Sequence, residues 1–200
     1  MVDIEQSDSS AEPLEAGTIS QVIELVLTEN KQVLEKVNYS VVAQLGQIIT
    51  NAQRIFVAGE GRSGLVIRMV AMRLMHLGSQ VYVVGETITP AIRQGDLLID
   101  CSGSGSTEHV WEIAQKAKEI GAYVVSVTTQ VDSPLAHLAE LVIEIDAAAK
   151  QDRSNQHSKQ FAGSLFEQST LLLFDALFHV LSQNLNKNAD TLWALHTNLE

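Results

Sequence analysis

The chain has 200 residues, 46% of them apolar and 18% charged, the make-up of a single globular domain with a real core. Its formal net charge is −11 with no Lys/Arg run to offset it, which excludes a general nucleic-acid binder. A lone cysteine, Cys101, excludes an internal disulfide; without a basic-then-apolar leader or a long uncharged apolar span, a soluble, cytoplasmic protein is expected.

Residues 1–17 are acidic and Ser-rich and read as a disordered lead-in, leaving 18–200 as one domain. Apolar residues recur at helical spacing from Ile19 to Val37, which predicts one or two amphipathic helices, and again from Tyr39 to Ala52. Arg54–Ala58 is a short β-rich run that ends in Gly59-Glu60-Gly61-Arg62-Ser63-Gly64. The helix expected next, Leu65–Leu77, is apolar on nearly every face. Such a helix is covered by sheet on one side and by a partner subunit on another. Gly78 suits its C-cap. Gln80–Val84 is a second strand, and a short helical turn is expected after Thr89-Pro90. The third strand, Leu97–Cys101, runs into Ser102-Gly103-Ser104-Gly105-Ser106-Thr107. A helix then reaches Ile120, capped by Gly121. Ala122–Val127 is strand four, Asp132-Ser133-Pro134 opens a short helix, and Leu141–Ile145 is strand five. Lys150–Gly163 is a polar loop. Helices are predicted over Ser164–Leu185 and Ala189–Leu199.

Continuous apolar strands alternating with helices predict an α/β fold, a doubly wound five-stranded parallel sheet of the flavodoxin-like kind, with flanking N- and C-terminal helices. Ligands of such sheets bind beyond the carboxyl ends of the strands. Both Gly/Ser loops fall there. In the second loop, small residues let backbone N–H groups converge, the hydroxyls add donors, and the following helix turns a positive dipole end toward the loop. That device suits a phosphate; the plain alternative is a polar turn with a Ser N-cap.

Gly59-x-Gly61-x-x-Gly64 also matches the dinucleotide fingerprint, with Glu86 near the expected acid position. Against that reading, a second Ser-rich loop would be redundant for a pyrophosphate. Arg62-Ser63 also suits a terminal phosphate better. No Gly-Lys-Ser/Thr makes the first loop a Walker A.

Several stretches together resemble the sugar isomerase (SIS) domains, and within them the 6-phospho-3-hexuloisomerases. These are 59–64, Ala-Met-Arg-Leu-Met-His-Leu-Gly at 71–78, Val-Tyr-Val-Val-Gly-Glu-Thr at 81–87 and Ser-Gly-Ser-Gly at 102–105. Gly-Ser-Leu-Phe-Glu-Gln at 163–168 and His-Thr-Asn-Leu-Glu at 196–200 complete the set. The resemblance covers the chain from about residue 19 onward. It implies isomerisation of a phosphorylated hexulose, D-arabino-hex-3-ulose 6-phosphate, to fructose 6-phosphate, as in formaldehyde fixation, with no metal or other cofactor. It further implies that Ser63, Ser102, Ser104 and Thr107 hold phosphate by their hydroxyls, and that Gly103, Gly105 and Ser106 add N–H groups. Gly61 and Arg62 belong to the same binding set. A homotetramer is implied as well. In the two loops, two residues depart from the family pattern: Ser106 stands where Glu is usual, and Glu60 where Ala is usual.

Moving a carbonyl from C3 to C2 requires a base and a donor for the growing oxyanion. Glu167 is the candidate base. On a helical wheel it lies with Leu171, Phe174, Phe178 and Leu181, where desolvation would raise its pKa against the pull of the helix N-terminus. A structural pair with an arginine is the alternative, and the resemblance favours the base. His76 is the second candidate, in the last turn of its helix, where the dipole favours imidazolium; a packing histidine is the alternative. By the resemblance it reaches a neighbouring subunit's site. Arg62 could pair with phosphate or steady the enediolate, or merely pair with Glu60 or Glu86. Met69, Met72 and Met75 read as core or interface, and Cys101 as buried packing. Two other functions remain open: a SIS isomerase of pentose or heptose phosphates, and a non-catalytic sugar-phosphate sensor.

Overall fold

The computed structural model describes residues 15–152 and 157–199. Residues 1–14, most of the expected lead-in, lie outside the described residues; Ala16 and Gly17 already belong to the first helix. That helix, α1 (Ala16–Lys36), is continuous. In α2 (Tyr39–Asn51) the Asn38 side chain caps the start by accepting from the Ser40 and Val41 N–H groups. Then follow β1 (Arg54–Gly59), α3 (Gly61–His76), β2 (Gln80–Val83), β3 (Leu97–Cys101), α4 (Glu108–Ile120) and β4 (Tyr123–Thr128). The chain ends with α5 (Pro134–Leu138), β5 (Leu141–Glu144), α6 (Ser164–Asn184) and α7 (Ala189–Trp193).

The sheet has five strands in the order β2-β1-β3-β4-β5, and every pair is parallel. Its central strand β3 is buried at every position, as the unbroken apolar run required. One core packs α1, α2, α3 and α6 against one face through residues such as Leu45, Ile67, Ile99 and Phe174. The other packs α4 and α5 through Phe56, Leu98, Val110 and Leu135. The chain leaves β1 toward β2 on one side, and β3 lies on the other. The carboxyl ends of β1 and β3 therefore flank the switch point where a crevice must open.

Three predicted elements differ. Helix α3 starts at Gly61 rather than Leu65, because Gly61 at φ +58° turns the chain straight from the strand into the helix. After Pro90 no helical turn forms; the segment is held open by Arg54, which donates to the Ala91 carbonyl at 3.3 Å and pairs with Asp96. Asp96 in turn accepts from the Arg93 N–H at 2.6 Å. The last helix stops at Trp193 instead of Leu199, since none of its residues is buried and packing therefore does little to extend it.

The first glycine loop is also a packing device. A Cβ on Gly64 would stand 2.5 Å from the Gly59 carbonyl oxygen, so strand and helix touch through bare backbone. Gly64→Ala is expected to destabilise the fold by about 1–3 kcal/mol, seen as a lower urea midpoint at unchanged m. An unchanged midpoint would mean that β1 and α3 can separate without cost.

Candidate active site

Three helix N-termini converge on the crevice: those of α3, α4 and α6. None carries a side-chain cap; their N-cap residues are Glu60, Thr107 and Gly163. By contrast α2, α5 and α7 are capped by Asn38, Ser133 and Asn188. Uncapped N–H groups and aligned dipoles at one point make an anion site. The resulting cleft holds about 290 Å³ and is lined by Glu60–Ser63, Cys101–Ser104 and Thr107, with Phe166 and Glu167 on the α6 side. That volume is about the lower end of ligand pockets.

Within the second loop, the Ser102 and Thr107 hydroxyls lie 2.9 Å apart, so Thr107 turns inward instead of capping α4. The N–H groups of Gly103, Ser104 and Thr107 have no partner among the described residues. Two residues of the expected binding set are placed differently. The Gly105 N–H closes the turn on the Ser102 carbonyl at 3.0 Å, and at φ +60° its Cα faces Ser133 too closely for any Cβ. Ser106 is exposed, and its N–H points to Ser104 Oγ at 3.3 Å. Neither lines the cleft. Gly105 shapes the loop, and the departure at Ser106 falls outside the cleft lining. Glu60 does line it, with His109 Nε2 at 3.9 Å from its carboxylate.

Helix α6 is set by polar contacts as well as by its core face. Buried Asn30 of α1 donates to Gln168 at 2.7 Å and accepts from the Ser169 hydroxyl at 2.8 Å. Phe166 packs against Gly103, where a Cβ would come within 3.2 Å of the ring. One residue on, the Glu167 carboxylate is mostly buried and forms an ion pair with Arg62. The sequence offered base and structural pair as alternatives; the structure joins the two candidate groups. The partners suggested for Arg62, Glu60 and Glu86, are not used, and Glu86 pairs with Arg68.

His76 sits at the far end of α3. At 1.5 Å per residue that is roughly 20 Å from Gly61, so the structure does not bring it to the cleft of its own subunit. Its ring is buried and stacks at 5.5 Å on His196, which stacks at 4.8 Å on Trp193. Burial first, then the charges of Arg73 and His196, hold the His76 pKa below its ordinary value, against the imidazolium expected from the helix dipole.

Sequence reasoning missed two features. Lys150 and Gln151 line the cleft from the segment after β5, which the sequence marks only as polar loop. Asp100, beneath the second loop, is fully buried and unmatched by any cation among the described residues. Burial pushes its carboxyl up to about 8, with a hydrogen bond to the Ser126 hydroxyl at 2.6 Å pulling the other way. Its second oxygen has no hydrogen-bond partner among the described residues. Cys101 next to it is wholly buried, and burial pushes its thiol above the ordinary range.

The SIS domain family model matches residues 48–180. A 3-hexulose-6-phosphate isomerase of Mycobacterium gastri is 48% identical over 182 residues, covering 91% of this chain and 92% of that one. Its namesake from Bacillus subtilis (strain 168) is 41% identical, covering 78% and 85%. Among solved structures, a hypothetical protein from Methanococcus jannaschii, whose structure infers the function of 3-hexulose-6-phosphate isomerase, superposes with a TM-score of 0.79. It is 32% identical over 90% of this chain and 99% of that one. The chain belongs to the SIS-domain family, in its 3-hexulose-6-phosphate isomerase branch.

Proposed function

We infer that the chain is a sugar-phosphate isomerase that converts D-arabino-hex-3-ulose 6-phosphate to fructose 6-phosphate. The observation that carries this is the Arg62–Glu167 pair standing beside a loop of free N–H groups and hydroxyls, in a chain 48% identical to a named isomerase of this kind. In the proposed reaction the phosphate sits on the Ser102–Ser104 loop, Ser63 and Thr107. This anchors one end of the sugar and leaves its carbonyl end toward α6. Glu167 takes the proton from C2, and the electron pair moves to make the C2–C3 double bond as O3 gains negative charge. Arg62 faces that charge. The proton returns at C3 while the O2 hydroxyl passes its proton to O3, so the carbonyl stands at C2 and a hydroxyl at C3. No electrons leave the substrate.

His76 enters only by way of a second subunit. An exposed apolar stripe runs along α3 through Leu65, Met69, Met72 and Met75. This supports burial of that face against another copy, within a homotetramer in which His76 approaches a neighbour's cleft. A cytoplasmic location is part of the same proposal, since a dianionic sugar phosphate does not cross a membrane unaided. Among the described residues no helix is long and apolar enough to cross one.

The direct test is purified protein with the 3-keto hexulose 6-phosphate in deuterated water. Fructose 6-phosphate carrying solvent deuterium is expected. No product sinks the reading, and product from only a pentose or heptose phosphate replaces the substrate.

A further inference from the structure

The cleft is electrically short of what it has to bind. Its lining holds Glu60 and Glu167 against Arg62 and Lys150, on a chain of net charge −11. Arg62 is committed to Glu167. Lys150 has no ion-pair or hydrogen-bond partner among the described residues. It belongs to the segment after β5, which must cross from the sheet edge back toward α6.

That segment is fastened on both sides of Lys150 to one helix. Asp146 pairs with Lys36 of α1 at 2.8 Å. Further on, Glu29 of α1 accepts from the Ser158 hydroxyl at 2.7 Å, the Lys159 N–H at 2.8 Å and the Gln160 amide at 3.0 Å. Burial alone would raise the Glu29 carboxyl; these hydrogen bonds outweigh it and hold the group below its ordinary range. Glu29 and Lys36 stand two helical turns apart, so α1 anchors the chain before and after Lys150, and Ala148, Lys150 and Gln151 line the cleft. A lysine in a segment anchored before and after it reaches a phosphate at a smaller entropy cost than one on an untethered loop.

We propose that Lys150 is the cationic contact for the substrate's phosphate and sets the selectivity of the cleft for phosphorylated over free sugars. This rests on the isomerase reading above. The hydroxyls and N–H groups supply direction, and Lys150 supplies the opposing charge that Arg62, tied to Glu167, does not.

The test is calorimetric titration of wild type, Lys150→Met and Lys150→Arg with inorganic phosphate and with fructose 6-phosphate. Lys150→Met is expected to weaken both by about 10- to 100-fold, the worth of a charge-assisted hydrogen bond, and Lys150→Arg to recover most of it. In turnover, the larger share of the Lys150→Met loss is expected in KM. Equal phosphate affinity in wild type and Lys150→Met overturns the role of Lys150 and leaves the isomerase reading standing. A wild type that binds phosphate through Lys150 yet makes no fructose 6-phosphate overturns the isomerase reading and leaves Lys150 as the phosphate contact.

Discussion

Glu167→Gln is expected to lower kcat by about 10²- to 10⁴-fold, the usual share of a positioned general base. The amide keeps the shape and a hydrogen bond to Arg62 but cannot accept the C2 proton. The phosphate end of the cleft is built by other residues, so binding of fructose 6-phosphate should survive, and kcat and kcat/KM should fall together. Arg62→Gln probes the other half of the pair: it leaves the base but removes the charge facing the enediolate. Single-turnover measurements on both variants separate the roles. A Glu167→Gln enzyme with wild-type kcat would leave Arg62 and Glu167 as a structural ion pair, and the base would have to be sought elsewhere in the cleft.

The second large effect lies beneath the cleft. Asp100 carries a raised carboxyl pKa of about 8, caused first by burial, so the folded chain holds a proton there that the unfolded chain releases near pH 4. Stability therefore falls as pH rises from about 4 to about 8, with a slope approaching 1.4 kcal/mol per pH unit from this one group, and levels off above. Paired carboxylates give the opposite slope. The Ser126 hydroxyl donates to Asp100 at 2.6 Å and stands 3.3 Å from the Leu135 carbonyl, and it alone opposes the burial of the carboxyl. The Leu135 N–H, in turn, donates to the Gly105 carbonyl at 3.0 Å, so the protonated acid supports the loop from below. Asp100→Asn is expected to remove this part of the slope while keeping the fold. Urea titrations of both proteins at pH 5 and pH 8 check it, and parallel pH dependence in the two would exclude Asp100 as the group.

Period and punctuation made the fold legible. The apolar runs 54–58, 97–101 and 122–127 could only be central parallel strands, and the glycines between strand and helix located the crevice. Residues written close together were read well, since the loop 102–107 carries its own geometry. Glu167 was legible as a carboxylate on an apolar stripe, but its meeting with Arg62 is a tertiary fact that no spacing encodes. Lys150 gave no signal at all, because a lysine in a polar loop looks like any solvated lysine until it is seen to line the cleft. Asp100 was hidden for the opposite reason: one acid within Leu97–Cys101 does not disturb the strand pattern, and only its burial gives it a role. His76 was placed on the correct helix, but the dipole argument for its charge lost to burial.

The joining of Arg62 and Glu167, 105 residues apart in the chain, has a consequence for how the molecule is kept folded. No short contiguous fragment contains the cleft, since its walls come from α3, the 102–107 loop, the segment around Lys150 and α6. A ligand that binds there recognises only the complete topology, and its free energy is added whole to the folding equilibrium. At a hundredfold excess over its Kd that amounts to about 2.7 kcal/mol. In a cell supplied with sugar phosphate, the substrate pool acts as a folding chaperone in the thermodynamic sense, and the enzyme persists longest where there is something for it to isomerise.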